Sequence, residues 1–165
     1  MNERWSFTLS LLRILLLGTF IAFANLAKAN DPAQMEGRLI SGEKFNLTQW
    51  KGKVVMLNFW ATWCGVCKSE MPDWQALYER NKDKGFQMLA VSIDDEEPEI
   101  KAFVASHKHY TFPVAWRFDK SEDDNLPTIY ATPTTVFLGR DGKVALTRKG
   151  VIAPDELTRI VKSLL

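Results

Sequence analysis

Two apolar runs, residues 54–60 and 86–93, dominate the hydrophobic pattern of the chain. Runs of this length, rich in β-branched and aromatic residues, predict strands that are buried on both faces. After residue 63 the spacing of apolar residues becomes helical, with a stripe formed by Met71, Trp74, Leu77 and Tyr78. The centre of the chain is therefore predicted to run strand, helix, strand.

The remainder of the chain continues this alternation. The acidic segment 94–98 ends in a proline and predicts a helix N-terminus favoured by the helix dipole. The helix that follows has an inner stripe formed by Ile100, Phe103, Val104 and His107. A third strand is predicted within residues 111–118, and a polar loop over residues 119–125.

The C-terminal part predicts a hairpin and a last helix. Residues 134–138 and 143–148 flank the turn Gly139-Arg140-Asp141-Gly142, a pattern typical of a β-hairpin. Pro154 opens a helix whose inner face is formed by Leu157, Ile160, Val161 and Leu164.

Ahead of the first strand, residues 37–47 predict a short hairpin and residues 48–52 a connecting turn. Together the elements predict one α/β domain over residues 30–165. Its expected architecture is a mixed central sheet with helices on both faces and a short N-terminal hairpin extension.

The first 29 residues differ from the rest. Arg4 and Arg13 precede an apolar run, residues 14–26, and Ala27-Lys28-Ala29 provides a small-x-small site. This order is typical of a secretory signal peptide. An uncleaved signal anchor stays open as the alternative, although 13 apolar residues fall short of the roughly 20 that span a bilayer. Either way, we expect a periplasmic or otherwise extracytoplasmic domain that meets the membrane only through this segment.

Composition and charge narrow the range of partners. The 165 residues are 46% hydrophobic with a formal net charge of +1, which suits a single globular domain. We therefore expect no nucleic-acid partner and no polybasic lipid-binding patch. His107 and His109 lie on or near an apolar stripe, so packing or surface roles are expected for them and no metal site.

The chain has two cysteines, Cys64 and Cys67, separated by two residues. A structural disulfide usually closes a longer loop, because loop entropy is what the cross-link removes. A structural zinc site needs four ligands, and only these two thiols are close in sequence. Redox chemistry therefore explains the pair best, with the Cys64–Cys67 disulfide itself as the redox group and no further cofactor.

The predicted elements assign different roles to the two cysteines. Cys64 lies where a buried strand ends and a helix begins, and a helix N-terminus lowers the pKa of a thiol placed there. Cys67 lies one turn into the helix, where it can attack a mixed disulfide formed at Cys64. Cys64 is thus the predicted nucleophile and Cys67 the predicted resolving thiol.

The segment around the cysteines, residues 58–68, resembles the active-site segment of thioredoxins, and residues 54–94 resemble the exported TlpA/ResA-like branch of that superfamily. Pro72 matches the proline that kinks the active-site helix. Thr132-Pro133-Thr134-Thr135 and Asp141-Gly142-Lys143 match the cis-proline strand and its hairpin. The resemblance covers most of residues 37–165. It implies the thioredoxin fold and a thiol–disulfide oxidoreductase that reduces disulfides outside the cytoplasm, often in cytochrome c maturation.

The chain departs from the thioredoxin pattern at two places. Asn58 replaces the buried aspartate that moves protons for the second cysteine, whereas some members of the exported branch carry a glutamate where Glu70 stands. Glu70 is therefore a predicted proton-handling residue, with a solvated helix-face carboxylate as the alternative. Gly65-Val66 replaces the usual Gly-Pro and should affect the redox potential.

The resemblance also predicts a surface for client proteins. Pro133 is expected in the cis form, facing Cys64, with the Thr132 backbone free to pair with an extended client segment. Trp63, Gly65 and Val66 surround Cys64 in sequence and are expected to line the docking surface, whereas Trp60 is expected in the core.

Four functions are compatible with a Cys-x-x-Cys pair. The first is a reductase whose partners are protein thiol or disulfide clients and a membrane dithiol donor for recycling. The second is a disulfide-forming oxidase. A thiol peroxidase is disfavoured, because its loop motif places a proline where Leu57 stands. A copper-binding assembly module is disfavoured by the two-residue spacer and by the lack of any histidine after His109.

Overall fold

A computed structural model describes residues 31–117 and 125–165 of the chain. The predicted signal segment, residues 1–29, lies outside the described residues, as does most of the predicted polar loop. Within the described residues the strands are β1 (Glu36–Arg38), β2 (Lys44–Asn46), β3 (Val54–Trp60), β4 (Phe86–Ser92), β5 (Val114–Trp116), β6 (Thr134–Leu138) and β7 (Val144–Lys149). The α-helices are α1 (Gly65–Asn81), α2 (Glu97–Ser106) and α3 (Pro154–Leu164), and short 3-10 helices span Leu47–Trp50 and Lys82–Lys84.

Five strands form a mixed sheet in the order β5-β4-β3-β6-β7. The pairs β3–β4 and β4–β5 are parallel, whereas β3–β6 and β6–β7 are antiparallel. The two central parallel strands are the two apolar runs of the sequence, and every residue of β3 is buried. Strands β1 and β2 form the predicted N-terminal hairpin as a separate antiparallel pair.

Each face of the sheet has its own hydrophobic cluster, because alternate residues of β3 point to opposite faces. Val54, Met56 and Trp60 pack with residues of all three α-helices. Val55, Leu57 and Phe59 pack with residues from the N-terminal hairpin and the 3-10 helix Leu47–Trp50. The predicted fold class, a mixed sheet flanked by helices with an N-terminal hairpin, is confirmed; helices were predicted on both faces, and the three α-helices pack in one cluster while the 3-10 helix Leu47–Trp50 packs in the other.

Three predicted elements differ in detail. The turn predicted for residues 48–52 is largely the 3-10 helix Leu47–Trp50, which Asn46 caps by accepting a hydrogen bond from the Thr48 N–H. The third strand spans Val114–Trp116, and it begins no earlier because Pro113 just before it has no N–H to donate to a ladder. Helix α2 begins at Glu97, so Asp94 does not belong to its first turn.

Candidate active site

The two cysteines lie at the junction between β3 and α1. Strand β3 ends at Trp60, the loop 61–63 follows, and Cys64 is the N-cap residue of α1. Strand β3 is fixed by neighbours on both sides, and α1 is fixed by the buried residues Met71, Trp74 and Leu77. The two cysteines are therefore held in position by elements that are packed into the core of the fold.

Cys64 and Cys67 form a disulfide with a Cα–Cα distance of 5.3 Å. Cys67 is fully buried, whereas Cys64 retains 6% exposure at the surface. The Cys67 N–H donates a hydrogen bond to Cys64 Sγ at 3.2 Å. A sulfur that caps a helix and faces a backbone N–H is stabilised as a thiolate when the disulfide is reduced.

The surface beside Cys64 is open and apolar. Trp63 is 64% exposed and Val66 is 53% exposed, although both are large hydrophobic residues. Gly65 between them is exposed and has no atom within 4 Å of the position that a Cβ would occupy. Exposed apolar residues around a reactive group are typical of a protein-binding surface.

The Thr132–Pro133 bond is cis, as predicted. Pro133 directly precedes β6, and the antiparallel register pairs Thr134 with Phe59 near the end of β3. The cis-proline therefore lies at the same end of the sheet as the loop that leads to Cys64. The carbonyl oxygen of Pro133 accepts a hydrogen bond from the Gly150 N–H at 2.8 Å, which joins this loop to the end of β7.

Tyr130 and Val151 are two exposed apolar residues that the sequence reasoning did not single out. Tyr130 is 82% exposed and precedes the cis-proline by three residues, and Val151 follows Gly150. Both thus belong to loops at the cis-proline end of the sheet. The sequence did contain a signal for Tyr130. This aromatic residue stands in a loop beside a functional proline and belongs to no apolar stripe of a helix or strand, which indicates an exposed side chain.

Glu70 is 7% exposed, so its interpretation as a solvated carboxylate on a helix face is wrong. Its Oε1 accepts a hydrogen bond from the Ile152 N–H at 2.9 Å, and its Oε2 has no hydrogen-bond partner among the described residues. Desolvation by burial raises the pKa of Glu70 above its ordinary value of 4.5, the Ile152 N–H opposes this rise, and the nearby charge of Asp73 adds to it. Glu70 and Cys67 are both buried and stand three residues apart on α1.

Asn58, which replaces the usual aspartate, is buried in the middle of β3. Its Nδ2 donates a hydrogen bond to the Thr135 hydroxyl at 2.8 Å, whereas its Oδ1 is without a hydrogen-bond partner within the described part of the chain. An amide cannot take up a proton in the physiological range, so this side chain cross-links β3 to β6 without titrating.

The interpretation of Asp94 as part of a helix N-terminus is wrong. Asp94 is fully buried, and its carboxylate accepts hydrogen bonds from Thr62 and Ser92. The residue before α2, Glu96, makes no capping hydrogen bond with its side chain. The sequence did not indicate that Asp94 is buried, because a run of carboxylates does not show which of them the fold will bury.

The histidines lie in an aromatic cluster. The ring of His107 stacks on Phe103 with centroids 4.0 Å apart, and His109 contacts Tyr110 with centroids 4.1 Å apart. In residues 31–117 and 125–165, no group of three or more His, Cys, Asp or Glu side chains is arranged to hold a metal ion.

Comparison with known proteins agrees with this site. The model of the AhpC/TSA family matches residues 28–147. The thiol-disulfide oxidoreductase ResA of Bacillus thuringiensis subsp. konkukian is 36% identical over 126 residues, which cover 76% of this chain and 71% of that protein. The ResA protein of Oceanobacillus iheyensis is 42% identical over 112 residues, which cover 67% of this chain and 57% of that protein.

Among solved structures, the pneumococcal exposed lipoprotein thioredoxin of Streptococcus pneumoniae superposes with a TM-score of 0.69 at 25% identity, covering 80% of this chain and all of that one. The family match over residues 28–147 includes the redox junction, strands β3 to β6 and the cis-proline described above. The chain therefore belongs to the AhpC/TSA family of the thioredoxin superfamily and is a ResA-like thiol–disulfide oxidoreductase.

Proposed function

We propose that this protein reduces disulfides of exported proteins by cycling Cys64 and Cys67 between the dithiol and the disulfide. The observation that carries the proposal is the N-cap position of Cys64, whose sulfur accepts a hydrogen bond from the Cys67 N–H. This arrangement favours a thiolate at Cys64, and a thiolate is the form that attacks a disulfide.

The proposed cycle transfers two electrons to the client. The Cys64 thiolate attacks one sulfur of a client disulfide, forms a mixed disulfide and releases the other client sulfur as a thiolate. The thiolate of Cys67 then attacks Cys64 Sγ, which forms the Cys64–Cys67 disulfide and releases the second client thiol. A membrane dithiol donor returns the pair to the dithiol, and the cycle needs no cofactor beyond the disulfide.

The remaining site residues receive supporting roles in this proposal. Glu70 accepts the proton of Cys67 before resolution, since Asn58 cannot do so. Trp63, Gly65 and Val66 contact the client around its disulfide. The Thr132 backbone pairs with an extended client segment beside the cis-proline, Pro133, which offers no N–H of its own.

The reductase is distinguished from a disulfide-forming oxidase by the reduction potential of the pair, which sets the direction of electron flow. A thiol peroxidase is less well supported, because the position of its motif proline is occupied by Leu57, a fully buried residue in the middle of β3. A proline there would remove a hydrogen bond from a central strand.

The proposed location is extracytoplasmic, with a role in cytochrome c maturation as the resemblance to the TlpA/ResA-like branch implies. The signal-like residues 1–29 support export, and one structural relative, from Streptococcus pneumoniae, is described as an exposed lipoprotein. Among the described residues, no helix is both long and apolar enough to cross a membrane.

We expect export to remove residues 1–29, because Ala27-Lys28-Ala29 follows an apolar core of signal-peptide length. The intact mass of the protein recovered from its producing cell should then correspond to an N-terminus at or near Asn30. An Ala29→Arg variant, in which the small residue is lost, should stay unprocessed. A full-length wild-type product in the membrane fraction shows instead that the segment is an anchor.

A further inference from the structure

A buried carboxylate holds the loop that precedes the redox cysteine. The Thr62 N–H donates to both carboxylate oxygens of Asp94 at 3.0 Å, and the Thr62 hydroxyl donates to Oδ1 at 2.5 Å. The Ser92 hydroxyl donates to Oδ2 at 2.5 Å. A fully buried carboxylate is costly unless donors surround it, so these donors and Asp94 hold one another in place.

Asp94 is itself fixed to the sheet. The register of the parallel strands β3 and β4 pairs Trp60 with Ser92, so Thr62 and Asp94 lie two residues beyond the ends of adjacent strands. The Ile93 N–H donates to the Trp60 carbonyl at 2.8 Å, and the Trp116 Nε1–H donates to the Asp94 carbonyl at 2.7 Å. Asp94 therefore ties the loop after β3 to strands β4 and β5.

What this loop positions is the redox site. Thr62 is followed directly by the exposed Trp63 and by Cys64, whose N–H donates to the Ala61 carbonyl at 3.0 Å. The 3.2 Å contact between the Cys67 N–H and Cys64 Sγ requires Cys64 to stay in its N-cap conformation. A loop that loses its anchor at Thr62 frees both the sulfur and the indole ring to move.

We propose that Asp94 is a positioning residue of this oxidoreductase, which acts through Thr62 to hold Cys64 at the helix N-terminus and Trp63 at the docking surface. None of the hydrogen bonds of Asp94 described above joins it to a cysteine sulfur. Its contribution is to keep the nucleophile aligned with the Cys67 N–H and the client surface fixed before a client arrives.

The test removes one hydrogen bond from the loop without changing charge. Thr62 is half-buried, so Thr62→Val removes the hydroxyl donor and is expected to fold; Thr62→Ser keeps the donor, and Thr62→Ala is a second variant without it. In the reduced protein we expect Thr62→Val and Thr62→Ala to shift the pH profile of Cys64 alkylation by iodoacetamide to higher pH. We also expect them to lower kcat/KM for insulin reduction by about tenfold, since a misplacement of about 1 Å costs on the order of a hundredfold and the loss of one hydroxyl moves the loop less. Thr62→Ser should restore both readouts.

Ser92→Ala is the matched control. It removes a hydroxyl that donates to the same carboxylate and accepts from the Asp94 N–H, but it leaves the Thr62 donors in place. We expect it to lower the melting temperature at least as much as Thr62→Val while shifting the alkylation profile less. The proposal is overturned if Thr62→Val lowers only the melting temperature, or if the alkylation shift of each variant simply follows its loss of melting temperature.

Discussion

Replacing Cys67 with serine is expected to trap client proteins as mixed disulfides, whereas replacing Cys64 with serine is expected to trap almost none. Cys64 is the N-cap sulfur at the surface, and Cys67 is fully buried one turn further along α1. A client can therefore reach only Cys64, and without Cys67 the mixed disulfide has no internal thiol to resolve it. Both variants should lose turnover in insulin reduction by about 10³-fold or more, because each step of the cycle needs its own sulfur.

The measurement is non-reducing electrophoresis of each variant, recovered after acid quenching from cells that produce it. The double variant lacking both cysteines gives the background of nonspecific complexes. Complexes with Cys67→Ser should disappear on adding dithiothreitol. Equal trapping by the two single variants contradicts the assignment of nucleophile and resolving thiol.

Replacing Glu70 with glutamine is expected to slow resolution of the mixed disulfide by about a hundredfold near neutral pH, the lower end of what a positioned proton acceptor contributes. Cys67 must lose its proton while buried, and Asn58 offers no titrating group. Glu70 shares the buried face of α1 with Cys67 and has one oxygen, Oε2, without a hydrogen-bond partner among the described residues. The difference from wild type should narrow as pH rises, because hydroxide then competes with Glu70 as the proton acceptor.

The raised pKa of Glu70 also predicts a pH dependence of stability. Because its pKa in the folded protein lies above 4.5, the folded state keeps the Glu70 proton in a range where the unfolded state releases it. The stability that this proton confers is fully present below pH 4.5 and is lost as pH rises through the folded-state pKa. Glutamine has no such loss, so Glu70→Gln should melt at a higher temperature than wild type at neutral pH and at a similar one below pH 4.

Glu79→Gln is the matched control for the resolution rate, since Glu79 lies on the same helix and is exposed to solvent. It is not a control for the melting measurement, because Glu79 pairs with Lys82 and accepts a hydrogen bond from Thr111, and these partners lower its own pKa. Stopped-flow mixing of the reduced protein with a disulfide client, followed by acid quenching, gives the resolution rate at each pH. If Glu70→Gln and Glu79→Gln give the same rate profile, Glu70 does not carry the proton and water is left as its carrier.

The fold could be predicted because each of its central elements is indicated by the residue pattern of one short segment. The buried runs of β3 and β4, the stripe of α1 and the N-cap position of Cys64 all follow from residue spacing within single segments. The cis form of Pro133 was predicted from resemblance to a family motif, since nothing in the local sequence distinguishes it from an ordinary proline beside a strand.

The environments of the carboxylates could not be predicted, because contacts distant in sequence determine them. Glu70 is buried against Ile152, which is 82 residues away. In the sequence Asp94 belongs to the same acidic run as Asp95 and Glu96. In the structure it accepts hydrogen bonds from Thr62, which is 32 residues away and lies just past the end of the adjacent strand. A charged residue is buried where the fold brings hydrogen-bond donors to it, and the sequence alone does not show which donors these are.

The reduction potential of the Cys64–Cys67 pair tests most directly the central claim, that this oxidoreductase works as a reductase. It can be measured by equilibrating the protein in glutathione buffers of defined ratio and quantifying the dithiol fraction by alkylation and mass spectrometry. We expect a reduction potential close to that of thioredoxin, about −270 mV, at which the dithiol passes its electrons to client disulfides. A potential near the about −120 mV of DsbA shows instead that the pair accepts electrons from client thiols, and the protein is then an oxidase.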